Sequence, residues 1–132
     1  MEIVVSQEQG RVPVTVFRIQ GELNVYTYER FQQKVREAHD AGMLNLLLDL
    51  AEVSYISSAG IRALNDSFKL LRTGAPEEND EAMAKGLRDG TFKSPHLKLL
   101  NPSPQVLEVL KIAGVDMFLE VHRHLREAVG SF

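Results

Sequence analysis

The sequence predicts an α/β fold: a mixed central β-sheet flanked by about four α-helices, in the order ββαβαβαβα. Three observations predict it. β-branched and aromatic runs alternate with segments whose apolar residues recur at helical spacing. One run, Leu44-Asn-Leu-Leu-Leu-Asp-Leu50, is nearly continuous in leucine, as a central strand buried on both faces requires. Glycine, serine and proline sit where such elements should start and stop. Alternating strands and helices imply helices packed on the sheet, with right-handed crossovers between parallel strands.

Residues 2–6 carry Ile3, Val4 and Val5 and read as a first strand. Gly10-Arg11 reads as a turn, and 12–20, with Val14, Val16, Phe17 and Ile19, as the second arm of a hairpin. Pro13 belongs at a strand start or on an edge. Gly21-Glu22-Leu23-Asn24 is read as breaking that strand. Tyr28, Phe31, Val35 and Ala38 then mark the apolar stripe of a helix over 27–41, with Gly42 at its C′ position. After the leucine strand, Val53, Tyr55 and Ile56 lead to Ser57-Ser58-Ala59-Gly60. Ile61, Leu64, Phe68 and Leu71 continue as a helix, capped by Ser57 or Ser58.

The segment 73–95 differs from its surroundings. It begins Thr-Gly-Ala-Pro and ends Lys-Ser-Pro, and holds five acids and three bases, so it supplies −2 of the chain's formal charge of −3. It reads as an exposed excursion with one helical turn near 79–87, where Met83 and Leu87 are spaced to pack together. Long surface insertions cost little extra closure entropy. Beyond it, Leu97, Leu99 and Leu100 form a short strand. Ser103-Pro104 gives an N-cap with Pro at the first helical position, and the helix through Val106, Val109 and Leu110 closes at Gly114. Phe118, Leu119 and Val121 read as a last strand and 123–129 as a terminal helix. The 132 residues fit one domain, 1–132, with the excursion inserted in it.

Composition narrows the function. With 44% apolar and 25% charged residues the chain is neither disordered nor fibrous. The absence of cysteine excludes disulfides, thiolate metal sites and cysteine nucleophiles. A charge of −3 provides no field to attract nucleic acid or an acidic membrane. No run approaches the roughly 18 apolar residues of a membrane span, and the N-terminus lacks the basic and apolar regions of a signal peptide. The expectation is a cytoplasmic protein without membrane insertion.

Phosphate-loop, GxGxxG, HExxH, EF-hand and GxSxG patterns are absent. His122 and His124 lack a third ligand at metal spacing and read as solvent-facing; His39 and His96 are isolated. Asn65-Asp66-Ser67 fits a glycosylation sequon but falls inside a helix. Asp49 and Glu52 read as strand-end or turn residues. No metal or cofactor is expected.

What remains is the junction between the leucine strand and the next helix. Ligands and partners meet α/β sheets at the carboxyl ends of central strands. A helix start exposes unpaired N–H groups and a partial positive charge, which suits a capping hydroxyl or a phosphate. Ala59 and Gly60 are small, which lets a partner approach closely. Ser58 as an enzyme nucleophile finds no base at a recognisable spacing.

The run Asp49-Leu-Ala-Glu-Val-Ser-Tyr-Ile-Ser57-Ser58-Ala59-Gly60-Ile61-Arg62 resembles the signature of the STAS domain family, which includes the bacterial anti-sigma-factor antagonists. Gly21-Glu22-Leu23-Asn24 resembles the family's Gly-Glu-Leu-Asp segment, and Ser103-Pro104-Gln105-Val106 through Gly114 its late helix. The resemblance implies a non-enzymatic antagonist that acts by partner switching. Unphosphorylated, it binds a serine-kinase anti-sigma factor and frees the sigma factor. Phosphorylation of one serine by that kinase disables it, and a serine phosphatase restores it. The acceptor maps to Ser58, with Ser57 as rival. The surface facing the partner maps to Asn24, Ser57, Ser58, Ala59, Gly60, Ile61 and Arg62. Ser57 and Asn24 stand where the family has Asp, and each removes a negative charge. Some STAS domains are never phosphorylated and act only as binding modules, so the alternative is a scaffold subunit of a signalling or lipid-transport assembly.

Overall fold

The computed structural model describes residues 1–72, 85 and 92–132. Five strands form one sheet in the order β1-β2-β3-β4-β5: β1 (Glu2–Gln9), β2 (Pro13–Leu23), β3 (Leu46–Ile56), β4 (Leu97–Leu100) and β5 (Val121–His122). β1 and β2 are an antiparallel hairpin, and all later pairings are parallel. The helices are α1 (Tyr28–Asp40), α2 (Ser58–Arg72), α3 (Pro104–Ile112) and α4 (Leu125–Gly130), with a 3₁₀ turn at Val115–Met117. The element order is the one the sequence predicts. None of the described helices is long and apolar enough to cross a membrane.

The sheet buries its two faces unequally. Phe17, Ile19, Leu46, Leu48 and Leu50 pack under Phe31 and Val35 of α1, Leu64 and Phe68 of α2, and Val106 and Leu110 of α3. On the opposite face Val14, Val16, Leu47 and Leu100 lie under Ala128 and Val129 of the short α4. Strand alternation sends odd and even leucines of β3 to different cores, so the leucine run is buried on both sides.

β2 and β3 both run longer at their carboxyl ends than expected. β2 does not break at Gly21, and β3 starts at Leu46 and continues past Leu50 to Ile56. The two strands extend together to the pair Leu23–Ile56 through register shifts between Arg18 and Gln20 and between Gly21 and Glu22. Gly21 has φ +105°, which lets the strand pass the irregularity instead of ending there. The second face is open in this region, so its residues are polar: Glu52 accepts from Arg18 at 3.1 Å and from Gln20 at 3.0 Å. Asp49 and Glu52 are therefore strand residues, not turn residues. β1 likewise extends to Gln9 rather than stopping at Ser6.

The later elements sit where the spacing puts them, with two differences. Ser103 Oγ accepts from Val106 N at 3.3 Å, Pro104 is the first helical residue of α3, and Gly114 follows the helix at φ +77°. The last strand is shorter than expected, because Phe118 and Leu119 bond back to Val115 around the 3₁₀ turn. Phe92 and Phe118 both pack on Phe68, with ring centroids 5.9 and 5.0 Å away. The helical turn near 79–87 and the Met83–Leu87 contact otherwise lie outside the described residues.

His122 is not solvent-facing. Its Nε2 lies 2.9 Å from Glu120 Oε1 and 3.3 Å from Ser131 Oγ. Glu120 Oε2 is 3.0 Å from Nζ of Lys98, a β4 side chain only 3% exposed. Lys98 also donates to the Ser131 carbonyl at 2.8 Å and to Ser131 Oγ at 3.1 Å, and its Nζ sits 5.0 Å from the Phe132 ring centre. A buried ammonium is tolerated when its donors are all used. Partial burial works to raise the Glu120 pKa, but the hydrogen bond and charge of Lys98, joined by His122, hold that carboxyl below its ordinary range.

Candidate functional site

The predicted site lies where β2, β3 and α2 meet, and one carbonyl organises it. Leu23 is the last residue of β2, and its C=O accepts from Ser57 N at 3.0 Å. That bond carries the chain from the end of β3 directly into α2. Ser57 is the residue before the helix: its C=O accepts from Ile61 N at 2.9 Å, and its Oγ accepts from Gly60 N at 3.4 Å. The cap is therefore Ser57, which settles the choice between the two serines. Ser58 is the first helical residue and is exposed. Among the described residues its hydroxyl has no hydrogen-bond partner. Arg62, one turn further along, is exposed as well.

Gly60 works in the opposite direction from that expected. It is buried, and a Cβ placed on it would lie 2.6 Å from the Leu23 carbonyl oxygen and 2.7 Å from Ile56 Cγ1. Its missing side chain makes room for the strands beneath, not for a partner above. Ala59 and Ile61 are half-buried, and Ile61 packs against the main core.

Asn24 begins the turn that leads to α1, close to the same junction. Its Oδ1 accepts from Tyr26 N at 2.9 Å, and its C=O accepts from Tyr28 N at 2.9 Å. An Asx turn needs only a carbonyl-type oxygen, which Asn supplies as well as Asp. Thr27 braces the turn: its Oγ1 donates to the Glu22 carbonyl at 2.9 Å and accepts from Asn24 N at 2.9 Å. Sequence reasoning missed Thr27, although the Asn-x-x-Thr spacing just before a helix is a usable signal. It also missed Val25 and Tyr26, which are 61% and 90% exposed at the turn's tip. Two apolar residues between turn-forming polar ones were the available sign. Tyr55, on the neighbouring end of β3, is about half exposed and pairs with Glu22.

The site thus presents a free serine hydroxyl at a helix start beside an exposed Val-Tyr turn. Its chemistry suits recognition of a surface and modification of a hydroxyl. A nucleophile would need a base, and no titratable group bonds to Ser58 among the described residues.

Comparison with solved structures gives the same architecture repeatedly. The anti-sigma factor antagonist SpoIIAA in its unphosphorylated form superposes with a TM-score of 0.67 at 19% identity, over 96% of this chain and 93% of that one. An anti-sigma factor antagonist from Mycobacterium paratuberculosis gives 0.67 at 16% identity, over 97% and 92%. A STAS domain protein from Planctomyces limnophilus gives 0.67 at 19% identity, over 96% and 94%. At these identities the likeness is one of fold. No curated protein sequence matches the chain. The STAS domain family model matches residues 4–75, more than half of the chain, including β1 to β3 and the Ser57-Ser58-Ala59-Gly60 start of α2. The chain belongs to the STAS domain family.

Proposed function

We propose that this protein is a cytoplasmic, non-enzymatic anti-sigma-factor antagonist that works by partner switching at Ser58. The observation that carries the reading is the division of labour between the two serines. Ser57 spends its hydroxyl on the helix, while Ser58 offers an exposed, unbonded one at the first position of α2. The fold likeness to SpoIIAA, whose structures include a phosphorylated form of the Bacillus protein, supports it. The partner is a serine-kinase anti-sigma factor, and a serine phosphatase resets the switch. The docking surface is Asn24, Ser57, Ser58, Ala59, Ile61 and Arg62 with the Val25-Tyr26 tip, and Gly60 sets the helix in place beneath it.

A phosphate on Ser58 adds about −1.5 to −2 charges. The helix start favours that charge, and Arg62 stands one turn away to pair with it, so the antagonist itself changes little. A partner docked on the site instead meets a hydrated anion, which costs several kcal/mol. A loss of about 3 kcal/mol weakens binding roughly 150-fold.

The test is incubation with ATP and a serine-kinase anti-sigma factor, followed by mass spectrometry and binding measurements. One phosphate on Ser58, lost in Ser58→Ala and kept in Ser57→Ala, is expected, and Ser58→Asp should weaken the complex. No modification, together with unaltered binding by Ser58→Asp, refutes the switch. A second reading, a scaffold subunit without phosphorylation, is favoured by Ser57 standing in place of the family's Asp. Recovery of a transporter or signalling assembly instead of a kinase would support it.

A further inference from the structure

We propose that β1 is a self-association edge, on which a second copy of this chain pairs antiparallel about a two-fold axis through Val4. β1 is the outer strand of the sheet and pairs with β2 along its whole length without a bulge. Outer strands of soluble proteins are usually blunted by Pro, Lys, a bulge or extreme shortness. β1 has eight residues with no Pro, Lys or bulge, and its charged side chains, Glu2 and Glu8, stand at or next to its ends and leave Ile3 to Gln7 uncharged. Its Val4 and Val5 are 47% and 42% exposed. Among the described residues, a groove lies beside the middle of the strand on each face. A groove of about 520 Å³ separates Val5 from Lys34, Ala38 and Leu44, and one of about 270 Å³ separates Val4 from Leu125.

The register follows from geometry and charge. Residues directly opposed across an antiparallel pair share a face, so a two-fold axis must pass through a residue, not between two. An axis through Val5 sets Glu2 against Glu8, two like charges. An axis through Ser6 sets Val4 against Glu8 and Val5 against Gln7. An axis through Val4 opposes Val4 to itself and Ile3 to Val5, with Glu2 facing Ser6 and Glu8 beyond the paired length. That register alone matches apolar with apolar on both faces and opposes no like charges. Ile3 already packs on the main core, so the new contacts extend it. A pairing of five β1 residues, Glu2 to Ser6, buries less than the roughly 1,600 Å² interface of a tight complex, so the dimer is concentration-dependent.

The absence of cysteine makes the test direct. Opposed Cα atoms in an antiparallel pair lie about 4.5–5.5 Å apart, inside the disulfide range. Val4→Cys is therefore expected to form a covalent dimer under mild oxidation. In Ser6→Cys the two thiols are separated by four residues of strand, about 13 Å, and should stay unlinked. Sedimentation velocity of the wild type should show a monomer–dimer equilibrium, which Val4→Lys weakens about tenfold or more by opposing two ammonium groups. Circular dichroism establishes that this variant is folded. A wild type that stays monomeric at every concentration overturns the proposal, as do equal cross-linking of the two cysteine variants and a dimer indifferent to Val4→Lys. Pairing of β1 with a strand of a different protein, in place of a second copy, overturns it too.

Discussion

Adding one methyl group at Gly60 sets two effects against each other, and the structure decides which wins. Inside a helix, Ala is better than Gly by about 1 kcal/mol, so on propensity alone Gly60→Ala stabilises. The new Cβ would lie 2.6 Å from the Leu23 oxygen, 2.7 Å from Ile56 Cγ1 and 3.1 Å from Leu23 Cγ. The nearest of these is a backbone atom already bonded to Ser57 N at 3.0 Å, so it has little room to yield. Lifting the start of α2 would stretch that bond and the 3.4 Å Ser57 Oγ contact with Gly60 N. Overpacking costs about 1–3 kcal/mol, and contact with a fixed carbonyl belongs at the upper end. The net expectation is a loss of about 2 kcal/mol, or roughly 6–8 °C in Tm for a chain of this length. Thermal unfolding followed by circular dichroism measures it, and faster hydrogen exchange at Ser57 and Ile61 would locate it. Gly130→Ala, where a Cβ meets open space at the last residue of α4, is the control and should leave Tm unchanged or raise it by up to about 4 °C. A Gly60→Ala protein as stable as the wild type, or more so, refutes the close-packing account of this glycine.

Two further expectations concern the buried cluster under α4. Lys98→Met keeps the aliphatic stem but removes the ammonium from Glu120 and the Ser131 carbonyl, with an expected loss of about 2–3 kcal/mol by denaturant titration. This falls below the usual range for a broken buried pair because Glu120 keeps contact with water. The Glu120 carboxyl has a lowered pKa, so its contribution to stability is complete above the unfolded-state value near 4.5 and is lost as pH falls through the folded-state value. Glu120→Gln should therefore flatten the acid side of a stability–pH curve, and an unchanged acid limb would contradict the cluster.

Most of the architecture is legible in residue spacing, because the apolar periods of α1, α2 and α3 and the short leucine strands answer directly to burial. The misread ends of β2 and β3 have a common cause. Past Gln20 and Leu50 one sheet face is open to solvent, so Glu22 and Glu52 look like loop residues although their backbones stay paired. Lys98 and His122 were opaque for the complementary reason. Their burial depends on Ser131 and Glu120, and no local pattern announces a partner 33 residues away. At the candidate site, Ser57 and Ser58 stand out in sequence as a pair, but only the bonds from Gly60 N to Ser57 Oγ and from Ile61 N to Ser57 C=O show which of them caps α2. Gly60 shows the limit most plainly, since smallness in a sequence does not say on which side the space is needed.

The Leu23 carbonyl gives the molecule a built-in spectroscopic reporter. The Ser57 amide proton bonded to it ties the residue before Asn24 to the residue before Ser58. An event that displaces either segment is expected to change the length of this one bond. A single backbone resonance in a nitrogen–proton correlation spectrum should thus register both occupancy of the Val25-Tyr26 tip and chemistry at Ser58. The two signals can be separated by whether the Tyr26 amide, held by Asn24 Oδ1, moves with it.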